Sequence, residues 1–155
     1  MKSIRIGTRG SALALAQTAW VEKKLKDKYP NALIETILIR TSGDRFFEAS
    51  VQTIGGKGIF TKEIEDALLG HEIDIAVHSM KDLPTELPAG LIVSAIPQRE
   101  DPRDVLVSAE SRKFSELCAG TRIGTGSLRR KAQLLHSRRD LRIMAIRGNV
   151  DTRLK

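Results

Sequence analysis

Apolar and polar positions alternate at Ile4-Arg5-Ile6-Gly7-Thr8, the period of two expected of a strand. The period then lengthens. Ala14, Thr18, Val21 and Leu25 recur at helical spacing with Leu13 and Trp20 beside them, and Ser11 stands where an N-cap belongs. The helix is predicted to run to Lys28 or thereabouts and to stop before Pro30, which pushes Tyr29 out of helical backbone. Ala32 to Arg40, rich in Ile and Leu, predicts a second strand, and Thr41-Ser42-Gly43-Asp44 a turn. Ile54-Gly55-Gly56-Lys57-Gly58 reads as a flexible loop before a helix that buries Phe60, Ile64 and Leu68 and ends at Gly70. Further strands are predicted over Ile73 to Val77, Leu91 to Ala95, Val105 to Ser108, Arg122 to Thr125 and Leu141 to Ile146, with a helix starting from Ser127. Alternating strands and helices predict an α/β fold with a mainly parallel sheet.

One pattern occurs twice. Arg5-Ile6-Gly7-Thr8 and Arg122-Ile123-Gly124-Thr125 each lead through a short turn to a serine and then a helix. The echo is short enough for convergence on a common turn, and it also suits two similar α/β domains. Charge separates the two copies. The 155 residues carry 26 Lys+Arg and 19 Asp+Glu, a net of +7. Residues 1–98 hold 12 of each sign, so the whole excess lies in residues 99–155, with 14 basic and 7 acidic. The change falls within Pro97 to Asp104, where two prolines and dense mixed charge predict an interdomain crossing. A basic second part asks for an anionic partner: nucleic acid, phosphate or a carboxylate-rich small molecule.

The 41% apolar and 29% charged fractions describe a soluble globular chain. A single cysteine excludes an internal disulfide framework and a multi-cysteine zinc site. The N-terminal residues lack the apolar stretch of a signal peptide, and no apolar run approaches the ~18 residues of a membrane span. A reducing cytoplasmic or organelle-matrix setting is therefore expected.

Candidate chemistry collects at strand ends. Both Gly-Thr turns lead into helix N-termini, where free N–H groups favour an anion. Arg9 stands in the first turn, and Arg129 and Arg130 open the second helix, at the end where the dipole disfavours cations. A bidentate ligand carboxylate or phosphate resolves that placement, and so does plain solvation. Arg147 and Arg153 can join the same cluster or form surface ion pairs. The Gly55-Gly56-Lys57-Gly58 loop is no P-loop, because Gly58 stands where the magnesium-binding hydroxyl should be. His78-Ser79-Met80-Lys81-Asp82-Leu83-Pro84 follows a predicted strand directly, where open α/β sheets bind ligands, so Lys81 and Asp82 are placed for binding or proton work; a polar turn is the plainer alternative. His78 has no second ligand at metal spacing, so no metal is proposed, and Cys118 has no activating neighbour.

Six segments taken in order resemble the porphobilinogen deaminase family, also called hydroxymethylbilane synthases. They are Thr8-Arg9-Gly10-Ser11-Ala12-Leu13-Ala14, Gly55-Gly56-Lys57-Gly58-Ile59-Phe60, Ala76-Val77-His78-Ser79-Met80-Lys81-Asp82-Leu83-Pro84, Arg99-Glu100-Asp101-Pro102-Arg103-Asp104, Gly126-Ser127-Leu128-Arg129-Arg130 and Arg147-Gly148-Asn149-Val150-Asp151-Thr152-Arg153-Leu154. The resemblance implies a transferase of tetrapyrrole (haem, chlorophyll) biosynthesis. Such enzymes join four porphobilinogen units with loss of ammonia on a dipyrromethane primer held by a cysteine of a third domain. It implies two domains like type II periplasmic binding proteins, with helices on both faces of a mainly parallel sheet and the active site in the cleft between them. Here residues 1–98 correspond to domain 1 without its late return segment, residues 99–155 to the first part of an incomplete domain 2, and domain 3 is absent. Carried over by motif, Asp82 is the catalytic carboxylate at the pyrrole nitrogens. Arg9, Ser11, Lys57, Lys81, Asp82, Ser127, Arg129, Arg130, Arg147 and Arg153 hold cofactor and substrate side chains. The resemblance further implies a cytoplasmic enzyme, monomeric at full length, whose partners are porphobilinogen and the growing pyrrole chain.

Chemistry is consistent with those roles. Each ring carries an acetate and a propionate, so a growing chain multiplies carboxylates and calls for arginines. Loss of ammonia leaves a cationic azafulvene that a fixed carboxylate would stabilise. The chain departs from the family in three places. Gln52-Thr53 stand where many relatives have a lysine nearby, Gly126 replaces a common serine, and relatives continue well past Lys155. Cys118 lies in the wrong segment to carry the primer. The 155 residues are accordingly expected to be an N-terminal piece, catalytically incompetent alone. Two other classes compete. A noncatalytic anion-binding module of periplasmic-binding-protein type would share the fold. A nucleic-acid binder would share the charge, but the six aromatic residues do not interleave with the basic pairs as stacking platforms do. No nucleic-acid or membrane partner is expected.

Overall fold

The structure, a computed structural model, describes residues 3–45 and 61–154, the side chains of Asp44 and Arg45 excepted. The chain divides into two compact units, Met1–Ile96 and Pro97–Lys155.

In the first unit, strand β1 (Ser3–Thr8) is central. It pairs in parallel with β2 (Leu33–Leu38), from Ser3 opposite Leu33 to Thr8 opposite Leu38. On its other side it pairs in parallel with the two-residue β3 (Ile75–Ala76), Ile6 facing Ile75 and Gly7 facing Ala76. Parallel neighbours need a crossover, and helix α1 (Ala12–Lys28) supplies it between β1 and β2. Ser11 starts that helix in extended backbone, its hydroxyl accepting from the Ala14 N–H at 3.3 Å. The predicted inner stripe faces inward: Thr18 is buried and Ala14, Val21 and Leu25 half-buried, while Leu13 and Trp20 are exposed.

Alternation along β1 sends Gly7 and Thr8 to opposite faces. The Thr8 face receives α1, where the Thr18 hydroxyl donates to Thr8 Oγ1 at 2.8 Å. The Gly7 face receives Ile73, whose Cδ1 would lie 2.3 Å from a Cβ at residue 7. Ile73 packs with Ile64 and Ala67 of α3 (Lys62–Leu69), ringed by Ile37, Ile39, Leu68 and Ala76. Helices therefore flank both faces of this sheet. Burial of an isoleucine side chain stabilises by about 1.5–3 kcal/mol, and Ile6, Ile64 and Ile73 are all but sealed from solvent.

The second unit repeats the crossover in small. Strands β4 (Arg122–Gly124) and β5 (Arg142–Met144) pair in parallel around α4 (Leu128–Ser137), and α5 (Val150–Leu154) follows. Ser127 caps α4 as Ser11 caps α1, its hydroxyl accepting from the Arg130 N–H at 3.3 Å. Gly124 also matches Gly7: a Cβ there would meet Ile146 Cδ1 at 2.9 Å.

Three expectations need correction. The Thr41-Ser42-Gly43-Asp44 turn is a single helical turn, α2 (Ser42–Arg45), anchored where the Ser42 N–H donates to a Glu63 carboxylate oxygen at 2.7 Å. Residues 91–95 and 105–108 are not strands. Their β-branched residues stand outside either ladder, with Ile92 82% and Val105 83% exposed, and propensity without a neighbouring strand makes no sheet. Of the strand predicted over Ile73 to Val77 only Ile75 and Ala76 are strand, although the Asp74 and Val77 N–H groups on either side still donate to the Arg5 and Gly7 carbonyls at 2.9 and 3.3 Å. The Gly55–Gly58 loop and Phe60 lie outside the described residues.

Candidate functional site

In the first unit the carboxyl ends of β1 and β3 lie side by side. The Val77 N–H donates to the Gly7 carbonyl at 3.3 Å, so Arg9 and His78 leave the sheet at neighbouring positions. His78 is half-buried, and burial pushes its imidazole below the ordinary value; Asp82 and Glu65 act against that shift and Arg9 adds to it. Those four groups thus share one electrostatic neighbourhood. Asp82 closes a 3-10 turn, Met80–Asp82, that the Asp82 N–H fastens to the Ser79 carbonyl at 2.9 Å. Asp82 is half-buried there, and Lys81 beside it is exposed. Ser11 is engaged in capping α1. Lys57 lies outside the described residues.

Two polar pairs that sequence reasoning passed over hold this end together. Thr18 and Thr8 join α1 to the last residue of β1. The Ser79 hydroxyl lies 3.1 Å from Gln17 Nε2 and 3.2 Å from Gln17 Oε1, tying α1 to the segment that carries Asp82. Gln17 falls on the same stripe as Ala14, Thr18 and Val21, and a polar residue on a buried stripe was the available signal.

In the second unit a cavity of about 290 Å³ opens beside the start of α4. Thr125, Ser127, Lys131, Arg147 and Arg153 line it over an apolar wall that includes Ile146. Arg153 is steadied by donating from Nε to the Gly148 carbonyl at 2.7 Å, in a turn that Gly148 makes at φ +108°. Arg129 and Arg130 stand elsewhere. Both grip the carboxylate of Asp104, Arg129 through Nη2 at 3.0 and 3.1 Å and Arg130 through Nε at 2.9 Å. Hydrogen bonds from Arg129 and then Arg130 hold that carboxyl below its usual range. The sequence therefore located the pair correctly at the head of α4, but its counterion was invisible, being 25 residues away from Arg129. A wider groove along Ala132, Gln133, His136 and Ser137 opens on the opposite side of α4 and gathers none of the candidate residues. Among the described residues no group of three metal-ligating side chains converges. No described helix is long and apolar enough to cross a membrane.

Parallel βαβ units, the second with cations and hydroxyls gathered where its strands end, define an α/β protein. Comparison gives that class a family. Residues 4–155 match the family described as "Porphobilinogen deaminase, dipyromethane cofactor binding domain". The chain is 57% identical over 152 residues to the porphobilinogen deaminase of Syntrophus aciditrophicus, covering 98% of this chain and 50% of that protein. It is 55% identical over 155 residues to that of Bacillus subtilis, covering 100% of this chain and 49% of that protein. The chain belongs to the porphobilinogen deaminase family, and it spans about half the length of the curated relatives it matches.

Proposed function

We propose that this chain is the part of a hydroxymethylbilane synthase that binds dipyrromethane and porphobilinogen and carries the carboxylate that acts on the pyrroles. The observation that carries the reading is the family match over residues 4–155, which takes in every candidate site residue. The residues fit the group. The cavity at Ser127, Arg147 and Arg153 has cationic and hydroxyl lining and no acidic side chain, as acetate and propionate groups require. Dipyrromethane, when bound, supplies the primer end to which porphobilinogen units are joined.

In this reading Asp82 accepts the pyrrole N–H groups, and its ionised carboxylate offsets positive charge that develops on the ring. Arg9, Ser11, Lys57 and Lys81 hold side-chain carboxylates from the first unit, and Ser127, Arg129, Arg130, Arg147 and Arg153 from the second. Residues 1–98 belong to one domain of type II periplasmic-binding-protein kind, without its late return segment, and residues 99–155 to the first part of a second, in a cytoplasmic enzyme that works as a monomer at full length.

The test is a chimera joining residues 1–155 to the remaining half of the Bacillus subtilis relative. It should form hydroxymethylbilane from porphobilinogen, and its Asp82→Asn variant should fold alike and turn over at least a hundredfold more slowly, on the order of one lost transition-state contact. A folded Asp82→Asn chimera with parental turnover would remove Asp82 from the chemistry.

A further inference from the structure

Lys131 sits in the α4 cavity without an assigned purpose. Its backbone N–H donates to the Ser127 carbonyl at 2.9 Å, so its side chain rises one turn above the capping serine. A lysine near the start of a helix is at the unfavourable end of the dipole. The usual remedy is a carboxylate three or four positions away. Here those positions are Ser127, Leu128, Leu134 and Leu135, none of them charged. No ion pair joins Lys131 to any described residue, whereas its two neighbours Arg129 and Arg130 share Asp104. The cavity therefore holds three cations, Lys131, Arg147 and Arg153, above an apolar wall and with no acidic side chain in its lining. An uncompensated triad of this kind complements an anion with more than one carboxylate.

We propose that Lys131 is a binding residue of this cavity, receiving one carboxylate of the pyrrole ligand alongside Arg147 and Arg153. The inference rests on the reading of the cavity given above and adds a cation to it. Lysine contributes a mobile point charge with three donors, suited to a flexible propionate, where the arginines offer planar forks.

The test is calorimetric titration of the 155-residue chain with porphobilinogen at low and moderate salt. The chain, Lys131→Gln, Lys131→Arg and Arg147→Gln are compared. Lys131→Gln should weaken binding roughly three- to tenfold, the range of one charge-assisted contact partly exposed to water. It should also flatten the salt dependence and leave the thermal midpoint unchanged, and Lys131→Arg should restore affinity. If Arg147→Gln weakens binding and Lys131→Gln does not, the cavity stands and the role of Lys131 is wrong. If porphobilinogen fails to bind the chain, or binds all four proteins equally, the reading of the cavity falls and the role of Lys131 falls with it.

Discussion

The hydroxyl pair between Thr18 and Thr8 gives the sharpest test of how the first unit positions its ligand-facing end. Thr8 is 0% and Thr18 1% exposed, and their oxygens are 2.8 Å apart. Thr18→Val keeps the branched shape and nearly the same helix propensity, so packing and helix formation change little. What goes is the donor to Thr8 Oγ1. The Thr8 hydroxyl can still donate to the carbonyl of Arg9 or Ala14, each 3.4 Å away, so it keeps a weak partner. The net cost should be about 1 kcal/mol, one neutral hydrogen bond lost in the interior. For a unit of this size that corresponds to a midpoint fall of roughly 4–8 °C. Trp20 is the single tryptophan and lies on α1, so its fluorescence reports on the first unit. Thr8→Val and the double variant complete a cycle. Replacing both hydroxyls should cost less than the two single changes added together, because neither variant group is then left wanting a partner. Single effects that simply add, to within about 0.5 kcal/mol, would mean that the two hydroxyls do not interact.

Two predictions concern pH. Hydrogen bonds from the Arg5 guanidinium and the Arg5 N–H lower the Asp74 carboxyl to about 2. The folded value lies below the unfolded one, so the stabilisation is present above roughly pH 4 and disappears as pH falls toward the folded value. Acid titration of Trp20 fluorescence should show that loss, and Asp74→Asn should flatten it; an unchanged acid limb would dissociate the pair from stability. His78 has the opposite origin, since burial favours its neutral form. The unfolded chain then binds more protons below about pH 6.5, and stability should decline as pH drops through that value. Unfolding midpoints measured between pH 5 and 7, roughly the titration range of an imidazole, should show this slope in the parent and less of it in His78→Gln. Equal slopes in both would contradict the burial argument.

Much of this is legible in the sequence. Ser11 and Ser127 announced two helix starts, Pro30 and Gly70 two ends, and the alternation around Ile6 and Ile123 two strands. Local chemistry decides such features, so local sequence reports them. What stayed hidden depends on residues far apart in the chain. Residues 91–95 and 105–108 have the composition of strands, yet a strand also needs a ladder partner, which composition does not supply. Asp104 looked like one charge in a mixed run and is the shared counterion of Arg129 and Arg130. Lys131 directly follows Arg129 and Arg130 in the sequence, and only the cavity separates it from that pair.

Gly7, next to last in β1, and Gly124, last in β4, bear on how the sequence can drift. Each leaves room for an isoleucine from a distant segment, Ile73 against Gly7 and Ile146 against Gly124. Each isoleucine immediately precedes a charged residue with a definite job, Asp74 paired with Arg5 and Arg147 lining the cavity. Side-chain volume is thus held in common by positions far apart in the gene. A methyl group gained at the glycine requires the isoleucine to shift or shrink, so the change is easier where the isoleucine is already smaller. Among descendants of this sequence, alanine at 7 or 124 should be found with valine or a smaller residue at 73 or 146, a lineage record of how closely the strands are pressed.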